Sequence, residues 1–431
     1  MNLRLVSAGV LSRVVKDGQS LTLALDNTFT SIEESKDRAF IQALSYGVMR
    51  QYYRLDFILQ QLLPKPLRNK DTDIKMLLLI GLYQLKYMRV KSHAAVSETV
   101  SAAKKKSWAK SLINGVLRRY LREQDELEKK ADQNPSALTS HPEWLISKIE
   151  KDWPEQSERV LLENDHLPPM VLRVNLAQTS QNEYLDLLTE HSIKATAVSF
   201  CSSAIVLDQP VIVEKLPEFT QGLVSVQDTA AQLATELLAV QEGHCVLDLC
   251  SAPGGKAAAI LEKEPKIKFL LAVDIDESRI NRVRDNLQRL KLQAEVIVGD
   301  ASQPETWAKN RTFERILVDA PCSALGVIRR HPDIKVLRRE TDLSALQNIQ
   351  QEILNAAWNL LVPGGILLYA TCSILKQENE EQIEMFLKNH ANASELSICA
   401  EWGMKRPFGR QVLTGDQGMD GFYYAKLVKN L

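Results

Sequence analysis

The second half of the chain alternates short apolar runs with segments of helical periodicity. The apolar runs lie at 245–249, 269–273, 294–298, 315–318 and 365–369, and two of the helical segments between them are Ser278–Leu290 and Ser344–Leu360. Apolar strands that alternate with helices along a chain are typical of a parallel sheet. The connecting helices cover both faces of the sheet, so that its strands are apolar on both sides. The pattern therefore predicts an α/β, Rossmann-like domain over residues 221–431.

The N-terminal third of the chain has a different pattern, with apolar residues at helical spacing and few strand signals. It predicts an all-α domain over residues 1–135. Within this domain we expect a helix over 94–103 that is capped by Ser92, and an amphipathic helix over Trp108–Arg122. The segment Asn134–Ser136 is typical of a loop, and we expect the domain to end there.

A small α+β module is expected between these two domains, over residues 141–220. The expected elements are one helix over Trp144–Glu163, another over Glu183–Glu190, and strands at Met170–Asn175, Ala204–Leu207 and Val211–Val213. The first of these helices has to stop before Pro168, because the residue that precedes a proline avoids helical geometry. The chain is thus predicted to contain three domains.

The charges of the 431 residues are unevenly distributed. Residues 1–130 carry 23 Lys and Arg against 13 Asp and Glu, a net charge of +10, and the remainder carries −11, so that the chain has a net charge of −1. A basic domain joined to an acidic one indicates that the first meets a polyanion such as RNA. The positive charge of residues 1–130 fits a solvated helix surface equally well.

Composition excludes several classes of protein. The longest apolar run, near Met76–Leu82, is far shorter than the roughly 20 residues that span a bilayer. The six cysteines have no CxxC spacing, which argues against a disulfide framework and against zinc. We therefore expect a cytoplasmic protein with no metal and no membrane partner, and we expect a monomer.

A glycine-containing turn follows the first apolar run, in the segment Asp248–Lys256. In sheets of this kind, ligands bind at the carboxyl ends of the strands, where glycine lets the backbone approach them. The segment lacks the dinucleotide fingerprint and the P-loop pattern, because Cys250 and Ala257 stand where a P-loop needs Gly and Ser or Thr. The alternative is a tight turn with no ligand.

Three acidic residues follow later apolar runs: Asp274, Asp300 and Asp319. A single aspartate at such a position is commonly a helix cap or a turn residue. Several of them on one edge of a sheet favour a binding site, in which carboxylates accept hydrogen bonds from ribose hydroxyls. Carboxylates without a phosphate cradle fit a ligand that carries a sugar and an amine, and S-adenosyl-L-methionine matches this description.

Two cysteines also follow predicted strands, Cys322 in Asp-Ala-Pro-Cys-Ser and Cys372 in Ala-Thr-Cys-Ser. A lone cysteine is usually an inert buried residue. At the carboxyl edge of a sheet a thiol is also a candidate nucleophile. A Cys–His hydrolase would need a distant histidine, and His331, nine positions after Cys322, stays open as that partner.

A basic segment, Gly326–Lys335, lies close in sequence to the first of these cysteines. Residues of this kind contact the phosphates of nucleic acids. The segment fits an ordinary surface loop equally well.

Taken in order, these motifs resemble those of the RNA (cytosine-5) methyltransferases of the Nop2/Sun class. The resemblance rests on Asp248–Lys256, on both cysteine motifs, on Gln227-Asp228 and on the segment Gly418–Lys426. The helical N-terminus, with Ile113–Arg118, is similar to NusB-type RNA-binding domains. This domain order is that of bacterial small-subunit rRNA methyltransferases, so that the resemblance implies 16S ribosomal RNA as the substrate and S-adenosyl-L-methionine as the cofactor.

The resemblance also implies roles for particular residues. It makes Cys372 the nucleophile that adds to carbon 6 of cytosine, gives Cys322 a role in product release, and has Asp319 stabilise the base. The residues that it assigns to the cofactor are Cys250, Ser251, Ala252, Pro253, Gly254, Gly255, Lys256, Asp274 at the ribose, Asp300 at the adenine, and Asp319. Without the resemblance, the sequence does not show which cysteine attacks.

Two alternatives remain at this stage. One is the same chemistry on a tRNA or on DNA. The other is an RNA-binding assembly or antitermination factor with a vestigial catalytic domain, which the joint presence of Lys256, Cys322 and Cys372 disfavours. The sequence names neither the methylated nucleotide nor the form of the substrate, naked rRNA or an assembling subunit.

Overall fold

The computed structural model describes residues 1–103 and 106–431. These residues form two compact units. The first comprises Met1–His166 together with Ile328–Glu340, and the second comprises Leu167–Val327 together with Thr341–Leu431. The segment 135–165 thus belongs with the helical unit rather than with the small module. The division into three domains, 1–135, 141–220 and 221–431, remains a prediction.

The helices of the described residues are α1 (Leu3–Asp17), α2 (Leu21–Phe29), α3 (Ser35–Arg50), α4 (Tyr52–Leu62), α5 (Thr72–Tyr87), α6 (Ser92–Ala102), α7 (Ser107–Asp132), α8 (Pro135–Thr139), α9 (Glu143–Asp152), α10 (Ser157–Asp165), α11 (Gln181–Glu190), α12 (Thr229–Leu238), α13 (Gly255–Lys263), α14 (Glu277–Leu290), α15 (Ile334–Leu337), α16 (Asp342–Leu360) and α17 (Glu380–Asn389). The strands are β1 (Val171–Val174), β2 (Ala195–Ala197), β3 (Ala204–Leu207), β4 (Val224–Val226), β5 (Cys245–Leu249), β6 (Phe269–Asp274), β7 (Glu295–Val298), β8 (Phe313–Asp319), β9 (Leu361–Thr371), β10 (Ala393–Glu395), β11 (Met404–Lys405), β12 (Arg410–Val412) and β13 (Phe422–Lys429).

The first unit is all-α, as the sequence predicts. Its core is apolar, and α5 lies at its centre, where Met76–Ile80 and Leu82 are almost fully buried. The segment Ile328–Glu340 is anchored in this unit by Lys335, which is fully buried. Its ammonium group donates to Asp165 Oδ1 at 2.6 Å and to the Arg50 carbonyl at 2.7 Å. These contacts satisfy a charge that would otherwise be costly to bury.

Three details of this unit differ from the sequence predictions. Ser92 is the first residue of α6 and not its cap, since the capping position is Lys91, which makes no side-chain capping bond. The helix predicted over Trp144–Glu163 is broken into α9 and α10 around Pro154, whose ring and missing amide hydrogen disrupt a helix. The predicted helix Trp108–Arg122 is followed by a kink at Glu123, where φ is −111° and ψ is 15°, and α7 then continues through the charged run to Asp132.

The second unit contains two sheets. The smaller is antiparallel, with strand order β2-β3-β1-β4. The strand predicted at Val211–Val213 is wrong, because Val213 begins a 3-10 turn there. The prediction failed because the apolar alternation of these three residues is too short to distinguish a strand from an irregular segment.

The larger sheet has the order β11-β12-β13-β9-β8-β5-β6-β7, with β10 beside β13. Its central strands β9, β8, β5, β6 and β7 are parallel, and β13 is antiparallel to β9. The prediction of a Rossmann-like α/β domain is confirmed. Because parallel strands end at one edge, the loops that follow β5, β6, β8 and β9 meet there.

In the described ranges no helix combines the length and the apolar composition that a bilayer span requires.

Candidate active site

The loop after β5 turns sharply into helix α13. Cys250 has a φ of +60° and Gly254 a φ of +94°. A Cβ atom on Gly254 would lie 3.0 Å from Val283 Cγ1, so that glycine is needed here both for its φ and for space. Arg173 supports the turn by donating to the Gly255 carbonyl at 2.7 Å, while it forms a buried ion pair with Glu262.

The aspartate at the end of β6 holds this loop in place. Asp274 is buried, and its Oδ2 accepts a hydrogen bond from the Ala252 amide at 3.1 Å. Its Oδ1 accepts one from the Asp276 amide at 3.1 Å. After β7, the carboxylate of Asp300 accepts from the Ser302 amide at 2.9 Å. Asp274 thus orders the loop after β5 as well as its own, and Asp300 orders its own loop, at the edge where the sequence places a ligand.

An ion pair connects the β5 loop with the end of β8. Lys256 Nζ lies 2.6 Å from Asp319 Oδ2. Burial lowers the pKa of Lys256, but the charge of Asp319, its hydrogen bond and the Cys372 sulfur outweigh this effect and raise it. The lysine therefore stays charged beside both groups, although its position in the first turn of α13 is unfavourable for a cation.

A further carboxyl group, which the sequence analysis did not assign to the site, lies beneath this pair. Asp248 in β5 is fully buried, and within the described residues neither of its oxygens has a hydrogen-bond partner. Burial, followed by the charge of Asp319, raises the pKa of Asp248 well above its usual range. A carboxyl group of this kind is held protonated, or is kept for a cationic or hydrogen-bonding ligand.

The two predicted cysteines meet at the same edge. The Sγ atoms of Cys322, after β8, and Cys372, after β9, lie 3.5 Å apart. The hydrogen bond with Cys372, followed by burial, raises the pKa of Cys322 well above its usual range. Cys322 is buried and Cys372 is half-buried. The geometry allows either sulfur to donate to the other, and the raised pKa of Cys322 keeps that residue a thiol.

The histidine and the basic residues that the sequence analysis considers do not belong to the unit that contains the two cysteines. His331, the alternative partner for a cysteine, and the basic residues Arg329 and Arg330 lie in the segment that belongs to the helical unit. Among the residues that the structure describes, no three His, Cys, Asp or Glu side chains are arranged to hold a metal ion.

Comparison with known proteins matches all parts of the chain. The family model "16S rRNA methyltransferase RsmB/F" matches residues 235–428, "NusB family" matches residues 1–122, and an RsmF/B-like methyltransferase ferredoxin-like domain matches residues 141–214. A protein named "Ribosomal RNA small subunit methyltransferase B", from Pseudomonas putida, is 47% identical over 431 residues, which cover 100% of this chain and 99% of the relative. The chain belongs to the RsmB/F methyltransferase family.

Solved structures agree with the fold of this RsmB/F methyltransferase. A methyltransferase homolog protein from Pyrococcus horikoshii is 25% identical, with a TM-score of 0.60, and the match covers 68% of this chain and 97% of that one. NSun6 from Pyrococcus horikoshii, solved with SFG, is 17% identical, with a TM-score of 0.61, and the match covers 67% and 98% of the two chains.

The cofactor of this RsmB/F methyltransferase is S-adenosyl-L-methionine. The residues present fit such a ligand. The aspartates at the ends of the strands carry oxygens that can accept hydrogen bonds from hydroxyl and amine groups. The buried and unpaired carboxyl group of Asp248 lies at the same edge.

Sequence reasoning missed a set of buried polar residues behind the two cysteines. They are Ser323, Gln350, Ser373, Glu378 and Asn379. Ser323 and Ser373 stand in the two cysteine motifs, and Glu378-Asn379 follows Cys372 by six residues, but no sequence signal indicates that these residues meet.

Proposed function

We propose that this protein transfers a methyl group from S-adenosyl-L-methionine to carbon 5 of a cytosine in 16S ribosomal RNA, through a covalent bond between cytosine and Cys372. The observation that carries the proposal is the pair of thiols 3.5 Å apart at the carboxyl edge of the sheet. The family supplies the reaction class, since its description names 16S rRNA methyltransferases.

Two successive steps follow from this arrangement. The Cys372 thiolate adds to carbon 6 of the base, and the electrons of the 5,6 double bond make carbon 5 nucleophilic. The bound cofactor would supply an electrophilic methyl group to carbon 5, and the electron pair of the broken carbon–sulfur bond would remain on the cofactor sulfur. Loss of the carbon-5 proton to solvent then restores the double bond and expels the sulfur of Cys372 as a thiolate.

The two cysteines are suited to different steps of this reaction. The raised pKa of Cys322, which its hydrogen bond with Cys372 and then its burial cause, keeps it a thiol. A thiol can donate a hydrogen bond to the departing sulfur, which supports a role in product release. Lys256 interacts electrostatically with the sulfur of Cys372, which places a cation beside the attacking atom.

Ligand roles are proposed for the remaining residues. The segment Cys250–Lys256 holds the methionine part of the cofactor, Asp274 its ribose and Asp300 its adenine. Asp319 lies beside the cofactor and stabilises the base near nitrogen 3, while its ion pair with Lys256 fixes its orientation. The target base has to leave its stack to reach this edge, which costs a few kcal/mol and favours cytosines in loops.

RNA binding is proposed for the helical unit. A groove of about 470 Å³ is lined by Pro64, Pro66 and Trp108, and Trp108 is 50% exposed. The groove is also lined by Lys65, Arg68 and Lys70. An exposed indole beside cationic side chains suits a stacked base and its phosphates. We propose a cytoplasmic enzyme that acts as a monomer.

One experiment tests the covalent step. Unmodified 16S rRNA is incubated with the cofactor and with the wild type, Cys322→Ala or Cys372→Ala, and the products are separated on a denaturing gel. We expect a trapped protein–RNA adduct with Cys322→Ala, and neither adduct nor methylation with Cys372→Ala. Cys201→Ala, which removes a buried thiol elsewhere in the same unit, should behave as the wild type.

Two outcomes would contradict the proposal. Methylation by Cys372→Ala would refute the assignment of the nucleophile. Bisulfite sequencing of ribosomal RNA from a deletion strain identifies the methylated position, and an unchanged 16S pattern would refute the substrate. A changed tRNA pattern would then favour the same chemistry on tRNA.

A further inference from the structure

One buried carboxylate connects the loops of both cysteines. Glu378 is fully buried. Its Oε1 accepts a hydrogen bond from the Ser323 amide at 2.8 Å, and its Oε2 accepts hydrogen bonds from the hydroxyl groups of Ser323 and Ser373. Ser323 directly follows Cys322, and Ser373 directly follows Cys372. Glu378 therefore touches the residue next to each thiol.

The surroundings of Glu378 make this connection rigid. Gln350 on α16 donates to Glu378 Oε1 at 3.2 Å, and the Tyr369 hydroxyl donates to the Glu378 carbonyl at 2.8 Å. Three side-chain donors and one backbone amide hydrogen-bond to this carboxylate, which offsets the cost of burying it. A group that needs so many donors is expensive as a purely structural element, because an apolar residue would fill the same space without them.

The neighbouring Asn379 fixes the second loop from the other side. Its Oδ1 accepts from the Thr371 hydroxyl at 2.6 Å, and its Nδ2 donates to the Ser373 carbonyl at 3.0 Å. The residues before and after Cys372 are thus both held. The Cys372 carbonyl accepts a hydrogen bond from the Gly326 amide at 2.9 Å, which joins the two loops directly.

We propose that Glu378 is a positioning residue for product release, which aligns the Cys322 thiol on the sulfur of Cys372. The inference rests on the proposed covalent mechanism. In the release step the carbon-5 proton passes to solvent, the carbon–hydrogen electron pair re-forms the 5,6 double bond, and the carbon–sulfur bond breaks. Cys372 leaves as a thiolate that accepts a hydrogen bond from Cys322.

Charge supports the same role. The negative charge of Glu378 is one of the causes that raise the pKa of Cys322, after its hydrogen bond with Cys372, burial and the charge of Cys372. A carboxylate at this position opposes a second thiolate in the loops. It favours Cys322 as the hydrogen donor of the pair.

The test compares Glu378→Gln with Glu380→Gln. The first removes the charge with almost no change of volume, and the serine hydroxyls can reverse to accept from the new amide. The second is a matched control, because Glu380 is two residues away and pairs with Arg406. The substrate is unmodified 16S rRNA with the cofactor, and Cys322→Ala serves as the reference for a trapped adduct.

We expect Glu378→Gln to accumulate the protein–RNA adduct and to lose turnover by at least about tenfold, while a single round of methyl transfer stays within about threefold of the wild type. Glu380→Gln should match the wild type in all three measurements. A merely structural role would instead lower methyl transfer and thermal stability together, with no adduct.

Several results would overturn the inference. One is turnover by Glu378→Gln equal to that of Glu380→Gln, and another is a loss of methyl transfer without adduct. If Glu378→Gln fails to fold, Ser323→Ala removes one hydroxyl contact and keeps the amide contact, and absence of adduct there also refutes the role. Failure of Cys322→Ala to accumulate an adduct refutes the role of Cys322 in release, and methylation by Cys372→Ala refutes the covalent mechanism itself. An adduct with Cys322→Ala alone refutes only the role of Glu378.

Discussion

Lys256 Nζ lies 2.6 Å from Asp319 Oδ2, although the two residues follow different strands of the sheet. The pair neutralises one carboxylate at an edge where Asp248 is buried without a hydrogen-bond partner among the described residues. Replacing the lysine leaves two acidic groups facing each other with no cation between them. The position of this ammonium group thus controls the charge around Asp319 and Asp248.

We expect Lys256→Met to abolish methyl transfer and to destabilise the second unit. The free energy of unfolding should fall by about 1–3 kcal/mol, less than for a fully buried pair, because Asp319 is partly exposed. Lys263→Met is the control, since Lys263 lies on the same helix and pairs with Glu236 at the surface. Its cost should be about 0–1 kcal/mol. Denaturant unfolding measures both, and equal losses would contradict the prediction.

A second prediction concerns the contact between the loop after β8 and the start of β13. The Gly421 amide donates to the Gly326 carbonyl at 2.8 Å, and a Cβ atom on Gly326 would lie 2.0 Å from the Gly421 carbonyl oxygen. Because both sides of this contact are backbone, no side chain can move to relieve it. Gly326→Ala should therefore cost about 1–3 kcal/mol of stability and displace the loop that reaches Cys372.

Gly115→Ala is the matched control for this substitution. Gly115 lies in α7 with open space around its Cα, and alanine there should stabilise the helix by about 0.5–1 kcal/mol. Thermal unfolding and methyl-transfer rates of the two variants test the argument. A fully active Gly326→Ala enzyme would show that the two backbones do not need to approach so closely.

The sequence predicts most of the catalytic fold because its signals are local. Apolar runs of five residues followed by Asp or Gly identify strands and the edge where they end, as for Asp274 and Asp319. The segment that the sequence assigns to the small α+β module, residues 141–220, is predicted less well. The apolar residues at Val211–Val213 have the alternation of a strand, but the chain turns there, and Pro154 breaks a helix that periodicity alone extends.

The site is predicted only in part, for a different physical reason. Each cysteine has a motif of its own, but the 3.5 Å between the two sulfurs depends on β8 and β9 being neighbours in the sheet. Glu378 is harder still to predict, because its partners come from two loops 50 residues apart and from α16. No spacing rule connects such residues before the order of the strands is known.

A third prediction tests the groove of the helical unit. Trp108→Ala should weaken binding of single-stranded 16S rRNA by about 1–3 kcal/mol, or about 5- to 150-fold in Kd, because a stacked base loses its partner. Lys65→Gln should reduce the salt dependence of binding. Leu138→Ala, which truncates another exposed apolar side chain of this unit, is the control. Filter binding at several salt concentrations measures these effects, and an unchanged Kd for Trp108→Ala would refute this RNA surface.

A fourth prediction concerns a buried histidine in the helical unit. His141 is fully buried, with Nδ1 at 2.5 Å from the Thr139 carbonyl and Nε2 at 3.3 Å from Asn164 Nδ2. This pattern fits a neutral ring that donates from Nδ1 and accepts at Nε2. Burial, followed by the charge of Lys335, lowers the pKa of His141 well below its ordinary value of about 6.5.

The sign of the pH dependence follows from this shift. Below about pH 6.5 the unfolded chain binds a proton at this histidine while the folded chain does not, so that protonation favours unfolding. The stability from His141 is complete above that pH and should fall by about 1.4 kcal/mol for each unit below it, until the lowered pKa of the folded state is reached. His141→Asn keeps a donor toward Thr139 and should remove this slope. His191→Asn, at an exposed histidine, should keep it. Denaturant unfolding at pH 7.5 and 5.5 gives the difference for each protein, and an equal fall for the wild type and His141→Asn would mean that this ring takes up its proton in the folded state as readily as in the unfolded one.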